Sequence, residues 1–214
     1  MRLVNKYTLV LCCFVCLRGH AQEAVALSHY VFSTFTPGKV LQKDGKIFDA
    51  KLNYNVLSGE IIFEAAPNHY MALAHPEQVD TVYINNRKFL PVKDKFYELL
   101  TLVAYPLFLE YTCTVKEPGS DLGYGMVSVT TASPAIKALI QGGAAYSLKL
   151  PDGFAVVPGY AYRVLIQGKY EKANNAKQLI AALPDKKQQI NELIKKNHTD
   201  FANKQDIIDL LNQL

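Results

Sequence analysis

An α+β fold follows from three features of this 214-residue chain: mostly antiparallel β-sheet, as a sandwich or open barrel, with a short three-helix C-terminal segment. From Lys39 to about Val115, apolar residues recur with period two, the spacing of strands that bury one face. Turn pairs separate those runs: Asp44-Gly45, Ser58-Gly59, Pro67-Asn68 and Asn85-Asn86. Beyond Ala173 the period becomes 3.6, the spacing of amphipathic helices.

Residues 1–21 read as a secretory signal peptide. Arg2 and Lys6 give a positive start, and Tyr7 to Leu17 form an apolar stretch too short to span a bilayer as a helix. Gly19 and Ala21 then put small residues at the positions before a cleavage point at Ala21/Gln22. Removing 21 residues leaves 193, and because Arg2, Lys6 and Arg18 go with no acidic residue, the formal charge falls from +4 to +1. That balance gives no electrostatic case for nucleic acid as a partner. Cys12, Cys13 and Cys16 also lie in the signal, so Cys113 is the one cysteine expected in the exported chain. Lipid anchoring through Cys16 is disfavoured, because Val15 precedes it where a small residue is needed and Arg18 follows closely.

Residues 22–173 form the expected β-rich domain. Asp44-Gly45 predicts a type I′ hairpin between Val40–Lys43 and Lys46–Tyr54. In the second of these strands Phe48, Ala50, Leu52 and Tyr54 share one face, while Asp49, Lys51 and Asn53 share a face expected to be wet. Further strands are predicted at Glu60–Glu64, His69–Leu73, Thr81–Ile84 and Arg87–Leu90. Phe96 to Thr114 imitates a membrane helix, but Glu98 and Glu110 leave only 11 residues between them. Two strands with Pro106 at an edge or corner fit better, so no transmembrane segment is expected after the signal. Residues 117–143 carry little periodicity and read as a flexible loop. Strands are predicted to resume at Ala144–Leu150 and Tyr160–Ile166, the latter turning at Gln167-Gly168 into Lys169–Glu171.

Residues 174–214 form the helical segment, expected to pack on the β-rich domain. Its stripes are Leu179, Ile180 and Leu183, then Ile190, Leu193 and Ile194, then Ile207, Ile208, Leu210 and Leu211. Asp185 is placed to cap the second helix and Asn203 the third, with Asp206 at the capping-box position.

The run PGKVLQKDGKIFDAKLNYN, with IIFE, VDTVYI and RKFLPV after it and YEKANNAKQLIAALPDKKQQINELIKKN late in the chain, resembles secreted β-rich proteins of unknown function from Bacteroidetes-type bacteria. That group has no assigned catalytic residues, so the resemblance carries none over. It implies export to a Gram-negative periplasm or to the outer-membrane surface and extracellular space.

Candidate sites each compete with a plainer reading. His69 and His75 could join a carboxylate on zinc, although their six-residue spacing is no metal signature, and surface histidines are preferred. No metal or other cofactor is therefore assigned. Cys113 reads as a small buried hydrophobe rather than a nucleophile, and no catalytic residue is assigned. Asp80-Thr81-Val82 fits a simple O-glycosylation pattern at Thr81. Thirteen tyrosines without a tryptophan suit either half-buried strand positions or a binding surface. A recognition surface is expected first at Tyr124 in the glycine-rich loop, and at Asn53 and Asn55 on the wet face. The function expected is a non-enzymatic binding or assembly module of the bacterial envelope, holding a protein or a glycan. The alternatives are an envelope hydrolase of peptide or glycan using carboxylates such as Glu60 and Asp80, and a structural accessory of an outer-membrane complex.

Overall fold

The computed structural model describes residues 28–116 and 133–214. The signal segment 1–21 with its cysteines, and Tyr124 with its glycine-rich loop, lie outside the described residues.

Among the described residues, ten antiparallel strands form one continuous sheet. β1 (Thr36–Gln42), β2 (Ile47–Asn55), β3 (Glu60–Ala66) and β4 (His69–Ala72) meander to one edge. After a 3₁₀ turn at Pro76–Gln78 the chain crosses to the free side of β1 as β5 (Val79–Ile84). A second meander runs through β6 (Arg87–Val92), β7 (Lys95–Thr101), β8 (Leu107–Lys116), β9 (Ala155–Ile166) and β10 (Lys169–Lys172) to the other edge. The expected class, α+β with mostly antiparallel sheet, is therefore the observed one. The single sheet is open at β4 and β10, and it rolls back on itself. Tyr54 O–H on β2 donates to the Phe96 carbonyl on β7 at 2.8 Å, and Phe96 N–H donates to the Gly59 carbonyl at 2.9 Å.

The turns follow local chemistry. Asn85 and Asn86 both take positive φ (47° and 61°), as the predicted type I′ hairpin requires. At Asp44-Gly45 the hairpin forms but the turn differs. Gly45 alone is left-handed (φ 86°), with Gly45 N–H donating to the Gln42 carbonyl and Gln42 N–H to the Lys46 carbonyl. That is a three-residue loop ending in a left-handed glycine, the next commonest hairpin solution. Lys93, in the β6–β7 turn, adopts φ 58° without glycine's freedom. Lys93→Gly is expected to raise stability by about 0.5–1 kcal/mol, because the left-handed penalty exceeds the entropy glycine adds to the unfolded chain. Urea unfolding midpoints at constant m check it.

The rolled half of the sheet encloses Val40, Leu52, Tyr54, Ile61, Val82, Ile84, Phe89 and Phe96. A second core forms where α2 (Ala176–Ala182), α3 (Lys187–Asn197) and α4 (Lys204–Asn212) cover β8 and β9. There Leu179, Ile190, Ile207, Leu210 and Leu211 meet Leu107, Leu109, Tyr162 and Val164. The three helices are thus packed on the sheet, as their stripes predict. Their caps agree in part. Asn203 accepts from Gln205 N–H, but Asp206 turns away from a capping box and accepts from Asp200 N–H. Asp185 does not cap α3, because the chain passes through a 3₁₀ turn at Pro184–Lys186 first.

Two expectations in the middle of the chain fail for one reason. Part of the expected loop is a helix, α1 (Ser133–Gln141), and Ala144–Leu150 is a 3₁₀ turn (Ala144–Tyr146) with irregular chain after it, not a strand. Leu139, Ala145 and Leu150 anchor these pieces in a third small core with Leu57 and Val115. Burial there is won residue by residue, so it leaves no period to read.

Candidate functional site

Residues on β7 to β10 alternate between two faces. One face, carrying Leu107, Leu109, Tyr162 and Val164, lies under the helices. The other carries Tyr97, Phe108, Glu110 and Arg163, with Tyr170 in register with Leu165 on β10. Here Val92, Lys93, Tyr97, Arg163, Gly168, Lys169 and Tyr170 line a pocket of about 410 Å³, within the usual range for small-molecule sites. Tyr170 packs edge-on against Tyr97 and Phe108, with ring centroids 5.5 and 5.0 Å apart. Burial pushes the Tyr97 and Tyr170 hydroxyl pKa values up, so both rings stay neutral at physiological pH.

Charge in the pocket is layered. Glu110 lies buried on β8, and its Oε2 accepts from Arg163 Nε at 2.8 Å and from Nη2. Lys95 Nζ stands 3.9 Å from Glu110 Oε1, an ion pair longer than a hydrogen bond. Lys93 and Lys169 have no ion pair among the described residues. The site therefore presents aromatic walls and a guanidinium held by a buried carboxylate, with Lys93 of the β6–β7 turn beside them; Lys169 lines it at the start of β10, but its pairing with Ile166 puts its side chain on the helix face.

A second polar cluster faces inward, between the two large cores. Glu98 accepts from Arg87 Nε and from Tyr111 O–H, each at 2.7 Å, and Arg87 Nη2 also reaches Tyr111 Oη. The guanidinium stands over the Phe32 ring at 4.9 Å and the Phe89 ring at 5.5 Å. With its acceptors and donors directed at one another and enclosed by rings, this cluster has a structural role.

Asn53 and Asn55, expected on a wet face, are both fully buried. Burial does not alternate along β2: Ile47, Phe48, Asp49 and Lys51 are exposed and Ala50 is half-buried, whereas Leu52 to Asn55 are all buried where residues 28–35 and 144–148 cover the second half. Asn53 Nδ2 donates to the Phe32 and Thr34 carbonyls, and its Oδ1 accepts from Phe32 N–H and Tyr54 N–H. Asn55 Oδ1 accepts from Leu57 N–H at 2.9 Å, and its Nδ2 donates to the Ala145 carbonyl at 2.6 Å. Neither side chain is directed at a ligand.

The remaining candidates are dispersed. His69 is exposed on the edge strand β4, and His75 is exposed with Nδ1 3.0 Å from Glu77. Among the described residues no three His, Cys, Asp or Glu side chains converge as a metal site. Thr81 is buried on β5 and donates to Asp80, so the fold does not present its hydroxyl for glycosylation. Cys113 donates to the Val56 carbonyl at 3.4 Å, and burial pushes its thiol pKa up, away from a nucleophilic thiolate. Glu60 and Asp80 do not form a carboxylate pair. Glu60 pairs with Asn55 at the end of β2, whereas Thr81, beside Asp80, aligns through Leu41 with Ile47 at its start. Along the strand alone that is about 26 Å, far beyond any glycosidase spacing.

His29 adds a titratable group absent from the expectations. It is fully buried, its Nε2 donates to the Ser147 carbonyl at 3.0 Å, and its Nδ1 has no partner among the described residues. Burial lowers its pKa against the opposing pull of the Ser147 and Ala145 carbonyls. The folded state then binds fewer protons than the unfolded one, so its contribution is complete above the unfolded pKa of about 6.5 and declines as pH falls below it. Melting temperature is expected to drop between pH 7.5 and 5, and to drop less in His29→Gln, which keeps a donor for Ser147 and cannot titrate.

The chain matches no protein-family model, no curated protein and no solved structure. Fold and site together define a class only: an open antiparallel sheet backed by helices on one face, with a ligand-sized aromatic and basic pocket on the other. No helix among the described residues is long and apolar enough to cross a membrane.

Proposed function

We propose that the protein is an exported, non-enzymatic binding or assembly module of the bacterial envelope, and that the pocket between Tyr97, Arg163 and Tyr170 is its ligand-contacting surface. One observation carries this reading. The polar groups around Glu98, Asn53 and Asn55 are directed at their own fold, whereas Lys93, which lines the pocket with the two tyrosines and Arg163, has no ion pair among the described residues. Export rests on the basic start, short apolar stretch and small residues of segment 1–21. The hydrolase alternative loses support because Glu60 and Asp80 are far apart, and Cys113 is held as a thiol.

A thermal-shift panel of the purified protein against glycans, peptides, peptidoglycan fragments and divalent metals tests the proposal. One chemical class is expected to raise the melting temperature, since a ligand at a hundredfold excess over its Kd adds about 2.7 kcal/mol to the folded state. A panel that shifts with none of them, on a sample that unfolds cooperatively, would overturn the small-ligand reading.

A further inference from the structure

We propose that the pocket binds an acidic saccharide, a sugar ring carrying a carboxylate, sulfate or phosphate; this rests on the binding-module reading and names its ligand class. The pocket supplies each element such a ligand needs. Tyr97 and Tyr170 offer flat apolar surface with polar tips, the match for a ring with one apolar face and hydroxyls at its rim. Arg163 directs Nε and Nη2 to the buried Glu110 Oε2, which leaves Nη1 for a ligand oxygen.

The anionic substituent is inferred from charge. Lys93 stands in the β6–β7 turn at the pocket, with Arg163 in its lining and Lys95 beside Glu110. Glu110, already paired, and Asp94, next to Lys93, are the acidic groups that oppose them. The local balance stays positive although the exported chain as a whole is near neutral.

Calorimetric titration of the purified protein with an oligogalacturonate, a sulfated dextran oligomer and an uncharged malto-oligosaccharide tests this. The first two separate carboxylate from sulfate as the recognised group. At least one acidic oligomer is expected to bind ten or more times tighter than the neutral one, and to weaken at high salt. Lys93→Ala/Lys95→Ala is expected to weaken that binding at least tenfold, while Lys195→Ala/Lys204→Ala removes the same charge from the helices without effect. Lys93→Gly is expected to melt higher yet bind more weakly. Equal losses in both double variants, or equal affinity for acidic and neutral oligomers, would overturn the acidic-saccharide assignment. A neutral glycan or peptide whose binding survives the lysine changes would overturn it too and leave the binding module standing; no binding across this set and the wider panel would remove both.

Discussion

Glu98→Ala is expected to lower stability by about 3–5 kcal/mol, the range for breaking a buried charge pair from one side. Glu98 is almost completely buried, and it satisfies Arg87 Nε and the Tyr111 hydroxyl at 2.7 Å each. Removing it leaves a guanidinium enclosed by Phe32, Phe89 and Tyr111 without a counter-charge, and a phenol without its acceptor. Water reaches Arg87 more readily than Glu98, so the guanidinium left behind is partly solvated, and deleting Arg87, which strands the more deeply buried acid, is expected to cost more still. Replacing both charges, as in Arg87→Met/Glu98→Leu, removes the desolvation problem together with the attraction. It is expected to cost less than Glu98→Ala alone, because a packed apolar pair can match a buried ion pair. Urea denaturation of the three proteins decides this. A double variant no more stable than Glu98→Ala would mean that the ion pair itself holds the cores together.

Asn53→Ala is expected to cost about 3–4 kcal/mol, a large loss for one amide. The reason lies in how β1 begins. Residues upstream of Thr36 continue the line of β1 along β2, with Tyr30 bridged to Asn55, but the register slips by three residues between the two stretches. Over that gap the backbone groups of Phe32 and Thr34 have no ladder partners, and the Asn53 carboxamide supplies them. Alanine strands those groups under the covering segment, where each unmade hydrogen bond costs about 1–3 kcal/mol. Asn53→Asp is expected to be nearly as damaging, since it keeps the acceptor but presents a carboxylate to two carbonyl oxygens. Amide exchange should report the loss locally, with protection falling first at Val31 and Phe32. Uniform loss across the sheet would contradict the assigned role.

The same asparagine shows where sequence reading stops. Period two correctly places Leu52 and Tyr54 inward and Asp49 and Lys51 outward, but it puts Phe48 inward too, and Phe48 is exposed, because alternation fixes which residues share a face and not whether that face is covered. Whether Asn53 meets water depends on what crosses above it, and residues 28–35 and 144–148 arrive from 20 and 90 residues away. Asn55 was more accessible to inference. An asparagine just before Ser58-Gly59 is the mark of a side chain that closes the turn on its own backbone. Hairpins at Asn85-Asn86 and Gln167-Gly168 were legible because φ preference is local. The pocket was not. Tyr97, Glu110, Arg163 and Tyr170 come from four strands, and only the pairing of β7 to β10 places them side by side. Its faint trace in the sequence is a pair of glutamates, Glu98 and Glu110, inside an otherwise apolar run, where each buried acid demands a cation from elsewhere.

Chemical-shift mapping of the amide spectrum during titration with oligogalacturonate tests the central claim most directly. The account predicts that the largest changes fall on Lys93, Tyr97, Arg163, Lys169 and Tyr170, with the edge strand His69–Ala72 and helix α4 unmoved. Changes centred on those distant elements, or an unchanged spectrum at saturating ligand, would contradict it.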